Sequence, residues 1–364
     1  MENNLIKPPA LKKGDTIALI TLSWGGASVC IDRYYQGKKQ LEESLGVKVI
    51  ETPNALKDSS WVYENPQERY NDLMWAFKNK EIKAIVSVIG GSDCIRLLDY
   101  LTDDDLKTIR ENPKIFLGLS DTTSINYYCF KAGIVSFYGP SVLFGFAENG
   151  GLHEYTLRYL KKVLFETGPI GEIKNSDEGW TVDIVPWKEE YKNHKRKMHP
   201  SRAPNFIQGD AAVKGKLIGG SLEVLEMMKG TSIWPKKEDW EDKILFIESS
   251  EMEPSPEFFM LWLRNYGAQG ILGKLKGLIF GIPGGGIAFD GLDYDKKLKD
   301  YIDSFERYEE VLLKVLKEYG RCDLPVVTQL NFGHTCPMFT IPYGIEMEID
   351  PVNKSIKMLE SAVS

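Results

Sequence analysis

The sequence predicts an α/β protein of two domains, the first built on a parallel sheet. Three observations carry that expectation. At 364 residues the chain is too long for one comfortable hydrophobic core. In the first 150 residues, short apolar runs alternate with stretches of helical period, the pattern of strands joined by crossover helices. That rhythm lapses after about residue 148 and resumes near 213. The organisation expected is therefore an α/β domain over 1–150, a connecting helix and long loop over 151–210, and a second domain over 211–364.

The elements follow in order. TIALITL at 16–22 is a buried strand entered through Gly14-Asp15, and a helical stretch at 32–45 ends near Gly46. VKVIE at 47–51 is the next strand, and 66–80 is helical. KAIVSVI at 83–89 is a strand closing on Gly90-Gly91, before a helix at 93–101. IFLGL at 115–119 is a strand with Ser120 at its C-terminal end, and SINYYCFKAG is the helix after it. Right-handed crossovers bring the C-terminal ends of parallel strands to one edge, where ligands bind. Gly90-Gly91 and Ser120 are therefore expected to be neighbours. Such a domain holds its own sheet, so residues 1–150 are expected to fold alone.

Beyond 154–165, a connecting helix, residues 174–208 are polar, basic in places and aromatic. They read as a long loop with one strand in it, and such loops are usually functional or disordered. Then come a strand from 213, a helix at 222–228, the strand ILFIE at 244–248 and a helix at 255–267 with Ser255 as N-cap and Pro256 at its first position. GLIFG at 277–281, a charged helix near 295–319 and the short strands PVVTQL, FTIPYG and IEMEID complete the chain.

Composition narrows the function classes. Hydrophobic residues make up 43% and charged residues 27%, an ordinary globular balance. A net charge of −7 supplies no general field for nucleic acid or an anionic membrane. Five scattered cysteines with no C-x-x-C pair argue against a disulfide framework and a structural zinc site. The opening MENNLIKPPALKKGD lacks an apolar signal-peptide core, and no apolar run approaches a bilayer span. The expectation is a cytoplasmic protein without membrane or nucleic-acid partners.

Nucleophilic catalysis needs a nucleophile, a base within reach, an acid to orient the base, and N–H donors for the oxyanion. G-L-S-D at 118–121 sits between strand and helix. There Gly118 permits a tight turn, Ser120 rises at the strand tip, and the Asp121 N–H points from a helix N-terminus. On these residues alone a plain N-cap is the commoner reading, and Thr122 departs from the G-x-S-x-G elbow. Of four histidines, His153 lies on a charged helix and His194 and His199 lie in the basic stretch NHKRKMH, which reads as solvated surface. His334, in NFGHTCPMF, is the histidine in a constrained setting, as base or as satisfied core residue. Glu248 ends the strand ILFIE, where an acid is either site or surface. Gly90-Gly91-Ser92 supplies an oxyanion N–H, cradles a phosphate, or is a simple turn. G-I-P-G-G-G at 281–286 is a loop rather than a nucleotide fingerprint. Trp180, Trp187 and Phe206, in the long loop, either stack on a flat ligand or pack the loop down.

GDTIALI, IGGSDCIRLL, FLGLSD, GKLIGGSLEVL, ILFIES and FGHTCPMFTIPYG together resemble the LD-carboxypeptidase family of serine peptidases, in the family's order over nearly the whole chain. The resemblance implies a flavodoxin-like N-terminal domain and a smaller mixed α/β C-terminal domain. Ser120 is then nucleophile, Glu248 acid and His334 base, with oxyanion donors near Gly91 and at Asp121. No metal or cofactor is implied, and family members are typically homodimers. The length and aromatic loop look most like the microcin C immunity branch, whose members cleave an aminoacyl-nucleotide amide; the sister branch trims murein tetrapeptides. A non-catalytic ligand-binding protein of the same fold is the alternative from another class. Two positions depart from many immunity-type members and face substrate by that reading. Ser221 replaces Asn, and no Lys lies between Glu248 and Arg264.

Overall fold

In the computed structural model, which describes residues 5–364, the described strands form two large sheets and a two-stranded one, and a C-terminal strand joins the first. The first has six strands. From one edge they are Ile341–Pro342, Phe137–Tyr138, Ile115–Gly118, Ile82–Ser87, Thr16–Ile20 and Lys48–Glu51. The five N-terminal strands are all parallel to their neighbours. Numbered along the chain they run 2-1-3-4-5, the flavodoxin-like order, and its switch point lies between the first and third strands. Parallel strands covered on both faces read as continuous apolar runs, and Ala18, Leu19, Ile20, Ala84, Ile85, Ile115 and Phe116 are fully buried.

Helices Ile31–Leu45, Pro66–Lys78, Asp103–Glu111 and Thr123–Ala132 cover this sheet. Gly46 in the left-handed conformation ends the first, and Pro at the first turn opens the second. Two differences from the sequence reading have local causes. The stretch expected as a helix at 93–101 is a 3-10 helix, Cys94–Tyr100. The N–H groups of Asp93 and Cys94 are claimed by the Asp121 carboxylate, at 2.8 and 2.7 Å, which fixes this turn to the next strand's end. The helix Asp103–Glu111 was not anticipated. Its signals are present: Thr102 caps the Asp105 N–H, and the first turn holds three aspartates.

The second sheet has eight described strands in the order Gly171–Glu172, Ser355–Met358, Glu346–Asp350, Val213–Ser221, Lys243–Glu248, Gly277–Gly281, Val326–Leu330 and Asn205–Gln208. The middle four, from Val213–Ser221 to Val326–Leu330, are parallel; the flanking pairs are antiparallel. Sheet membership does not follow breaks at 150 and 210. The connecting region contributes both edges of the second sheet, and Ile341–Pro342 pairs antiparallel with Phe137–Tyr138 of the first. An unpaired edge is a liability, and one edge of the first sheet and both edges of the second carry chain from elsewhere. The C-terminus also returns to the first domain, where the Ala10 N–H donates to the Ser364 carbonyl at 3.0 Å.

The 174–208 segment is a packed layer rather than an open loop. Asp183–Ile184 pairs with Ile287–Ala288, which docks it on the glycine-rich 281–286 turn. Beneath it lies a small apolar cluster of Trp180, Val182, Ile282, Ile287, Tyr301 and Phe305. No helix among the described residues is long and apolar enough to cross a membrane.

Candidate active site

The strand ends assemble the site. Gly118 closes its strand, and Ser120 follows with a φ of 61°, in the left-handed region that non-glycine residues avoid. Such a conformation costs about 1–3 kcal/mol and persists only where surroundings impose it. They do so here through Tyr138, on the neighbouring strand. Its hydroxyl oxygen accepts the Ser120 N–H at 3.2 Å and its O–H donates to Glu248 Oε1 at 2.5 Å. One phenol thus ties the backbone of Ser120 to a carboxylate of the other sheet. Gly90 packs against Ser120 so tightly that a Cβ there would lie 2.8 Å from the serine Cβ.

Glu248 is fully buried at the end of its strand. Its second oxygen, Oε2, accepts from the His334 N–H at 3.1 Å and meets the ring Nδ1 at 2.7 Å. A carboxylate only accepts, so the proton of this contact sits on Nδ1 and Nε2 is left for the cavity. Gly333 makes the approach possible. Its φ is +92°, and a Cβ there would come within 2.4 Å of Glu248 Oε2. Burial pushes the His334 imidazole down; Glu248 outweighs it, Glu251 and Glu223 add to it, and the pKa is raised to about 9.

Ser120, Gly90, Gly91 and His334 line one cavity of about 340 Å³, at the C-terminal edge of the first sheet and under the 174–208 layer. Trp24 follows the first strand and Gly91 the third, so the cavity opens at the switch point. The Asp121 side chain is structural: it is buried and holds Ser23, Asp93 and Cys94. Its backbone N–H follows Ser120 at the start of the next helical turn.

The cavity's far end is cationic and aromatic. The Arg33 guanidinium lies 4.6 Å from the Trp187 ring centre, with its Nε–H on the Leu143 carbonyl at 2.8 Å and an N–H on Asn149 at 2.5 Å. Burial lowers its pKa to about 10, against the opposing pull of Glu148. Arg196 grips Glu148 through both oxygens, one contact at 2.9 Å, and lies over Phe144 at 5.9 Å, whose ring in turn stands 6.2 Å from His334. The contacts run in sequence from His334 through Phe144 and Arg196–Glu148 to Asn149, whose N–H donates to Glu148 at 3.2 Å, and on to Arg33 and Trp187.

Other sequence candidates lie elsewhere. Trp180 is 1% exposed and forms the core beneath the loop, against His199, Tyr301 and Phe305, so it offers no face to a ligand. Phe206 sits on an edge strand opposite Val327 and packs on the main core. Ser92 is exposed outside the cavity wall. Ser221 is buried beside Glu248 in register, its hydroxyl on Glu223 at 3.0 Å. His199, read as solvated, is buried, with Nε2 3.1 Å from the Tyr294 hydroxyl; burial lowers its pKa. His153 stands at the N-terminal boundary of its helix and pairs with Glu178 at 3.0 Å, and His194 lies against Phe289. Sequence reasoning missed Tyr138, Arg33, Phe144, Glu148, Arg196 and Glu251. The FYGP run at 137–140 was a readable strand signal for the first; the others depend on distant chain.

A flavodoxin-like lobe bearing a strained serine, with a histidine–carboxylate pair delivered from a second lobe, is the architecture of a serine peptidase class. The LD-carboxypeptidase N-terminal domain matches residues 17–139 and the LD-carboxypeptidase C-terminal domain matches 214–349, and the chain belongs to that family. Among curated relatives, the microcin C7 self-immunity protein MccF of Escherichia coli is 29% identical over 97% of this chain and 96% of its own. A probable murein peptide carboxypeptidase of Bacillus subtilis is 26% identical over 98% of this chain and 95% of its own. Among solved structures, an MccF-like protein from Streptococcus pneumoniae in complex with AMP superimposes with a TM-score of 0.81 at 31% identity, covering 94% of this chain and 98% of that one. MccF in complex with aspartyl sulfamoyl adenosine gives 0.79 at 27% identity, over 99% and 100%. An MccF mutant with one tryptophan changed to phenylalanine has been solved with adenosine monophosphate, at the same TM-score, identity and coverage.

Proposed function

We propose that this chain is a serine hydrolase acting on aminoacyl-nucleotide amides. The observation that carries it is the cavity that Ser120, bent into a left-handed conformation, and His334, backed by buried Glu248, line together with Trp187 and Arg33.

In this reading the Ser120 hydroxyl attacks the acyl carbon and His334 Nε2 takes its proton. The N–H groups of Gly91 and Asp121 receive the oxyanion. The acyl–nitrogen bond breaks, the nitrogen leaves with the proton from His334, and an ester to Ser120 remains. Water, deprotonated by the same histidine, releases the acid and restores the serine. Trp187 offers a face for a base, and Arg33 beside it offers charge for the anionic linker. MccF structures with aminoacyl sulfamoyl nucleotides and with AMP support the same ligand class. Two copies of the chain acting as a homodimer, in the cytoplasm, belong to this reading.

The test is hydrolysis of an aminoacyl sulfamoyl adenosine and of a murein tetrapeptide by wild type and Ser120→Ala, with fluorophosphonate labelling alongside. Cleavage of the nucleotide substrate, falling about 10³-fold or more in Ser120→Ala, is expected. Cleavage of the tetrapeptide alone would move the chain to the murein branch, and labelling independent of Ser120 would overturn the nucleophile.

A further inference from the structure

Three carboxylates among the described residues line the cavity: Glu148, Asp183 and Glu251. Two are already engaged. Glu148 is gripped by Arg196, and Asp183 accepts from the Tyr294 hydroxyl at 2.6 Å and the Lys197 N–H at 3.1 Å. Glu251 differs. Its side chain is 68% exposed at the cavity mouth, and its ionic contact is with His334 Nε2, at 3.7 Å.

That contact lasts only while the imidazole is a cation. Before His334 takes the serine proton it must be neutral, with Nε2 accepting from the hydroxyl. Glu251 then faces the reacting centre with no other ion-pair partner among the described residues. Glu223 strengthens the negative field from behind. Its carboxylate accepts from the Ser250 N–H at 2.8 Å, the Ser250 hydroxyl at 2.9 Å and the Ser221 hydroxyl at 3.0 Å, and its charge is felt at His334. A carboxylate in this position repels an anionic acyl group and attracts an ammonium. The opposite end, Arg33 with Trp187, is cationic and aromatic. The cavity is thus polarised along its length, which orients a substrate with anion and ring at one end and cation at the other.

Building on the hydrolase reading above, we propose that Glu251 is a specificity determinant. It seats an ammonium group carried by the acyl residue of the substrate, on the side of the scissile bond away from Trp187. The ammonium belongs either to the α-amine or to a side-chain amine of that residue.

Four ligands on one 5′-sulfamoyl adenosine separate these sources. Norleucyl carries the α-ammonium alone, 6-aminohexanoyl the distal ammonium alone, lysyl both, and hexanoyl neither. For the wild-type protein, kcat/KM for norleucyl or for 6-aminohexanoyl should exceed that for hexanoyl by about 10-fold, the effect of one charge-assisted contact. In Glu251→Gln that ratio should collapse toward one, and in Glu251→Lys it should invert. Ratios near one in the wild type, or ratios indifferent to Glu251→Gln, would overturn the seat. Calorimetric binding of the four ligands to Ser120→Ala separates this inference from the reading it rests on. Preferential binding of ammonium-bearing ligands, without turnover in the wild type, keeps the seat and removes the hydrolase. Turnover with equal binding removes the seat and keeps the hydrolase.

Discussion

The pKa of His334 sets how the site must respond to pH. Its Nε2 works as a base only when unprotonated, and the pKa is raised to about 9, above the ordinary value of 6.5. Hydrolysis in the free enzyme should therefore climb as pH rises through about 9, read as kcat/KM against pH. Glu248→Gln removes the largest upward pull, so its rise should come at lower pH with a lower plateau. An unshifted profile would show that another group titrates. Stability has the opposite sense. A raised folded pKa contributes stability that is complete below about 6.5 and is lost as pH climbs through about 9. Tyr138 gives the second test at this scale. Tyr138→Phe leaves Glu248 Oε1 buried without its donor and the Ser120 N–H without its acceptor. It should cost about 1–3 kcal/mol in unfolding free energy, and kcat should fall about 10-fold with KM little changed. An unchanged kcat would show that the strained serine holds itself. Of these residues, Ser120 and Glu248 were legible because strand ends are readable from apolar runs. A constrained setting is not peculiar to His334. His199 is buried as well, by Tyr294 nearly a hundred residues away, which local composition does not reveal.

At the scale of elements, the 174–208 layer divides its two tryptophans. Both lie in one polar stretch, and no local signal separates them. Trp180 faces inward because Tyr301 and Phe305 from the long helix Tyr294–Glu318 meet it there, whereas Trp187 reaches the cavity and Arg33. Their alanine variants should part accordingly. Trp187→Ala should raise KM for nucleotide-bearing substrates about 10- to 100-fold, since stacking on a base is worth roughly 1–3 kcal/mol, with little change in unfolding temperature. Trp180→Ala should cost about 3–5 kcal/mol of stability, as core tryptophans do, and weaken turnover of every substrate alike. A KM effect confined to nucleotides in Trp180→Ala would contradict its burial. The strands and long helices were legible because their periods of 2 and 3.6 are local properties. The two-residue pairings Phe137–Tyr138 with Ile341–Pro342, and Asp183–Ile184 with Ile287–Ala288, were not, because segments this short acquire strand identity only from a distant partner.

For the whole molecule, the alternation of strands and helices in the first 150 residues suggests a domain able to fold alone, and the assembled chain argues otherwise. The first sheet is finished by Ile341–Pro342, and the Ser364 N–H and carbonyl clamp Pro8 and Ala10. Helix Thr123–Ala132 is buried on nearly every side, partly by the second domain: the Ser221 N–H donates to Thr123 Oγ1 at 3.3 Å, and Tyr343 packs against Tyr127. Cutting at residue 150 would leave the Phe137–Tyr138 edge unpaired and the apolar wall of that helix in water, a combination that favours association over a unique fold. The buried tyrosine joining Ser120 to Glu248 would also lose the acceptor for its O–H. The expected outcome for a fragment of residues 1–150 is a concentration-dependent, aggregating species without cooperative thermal unfolding, measured by near-ultraviolet circular dichroism and sedimentation. The full chain should melt with its two lobes coupled, in one transition or two that overlap. A monomeric fragment with a sharp transition of its own would show that the exchanged strand is ornament to the first domain. In that case the second lobe contributes Glu248 and His334 to the site without holding the serine in place.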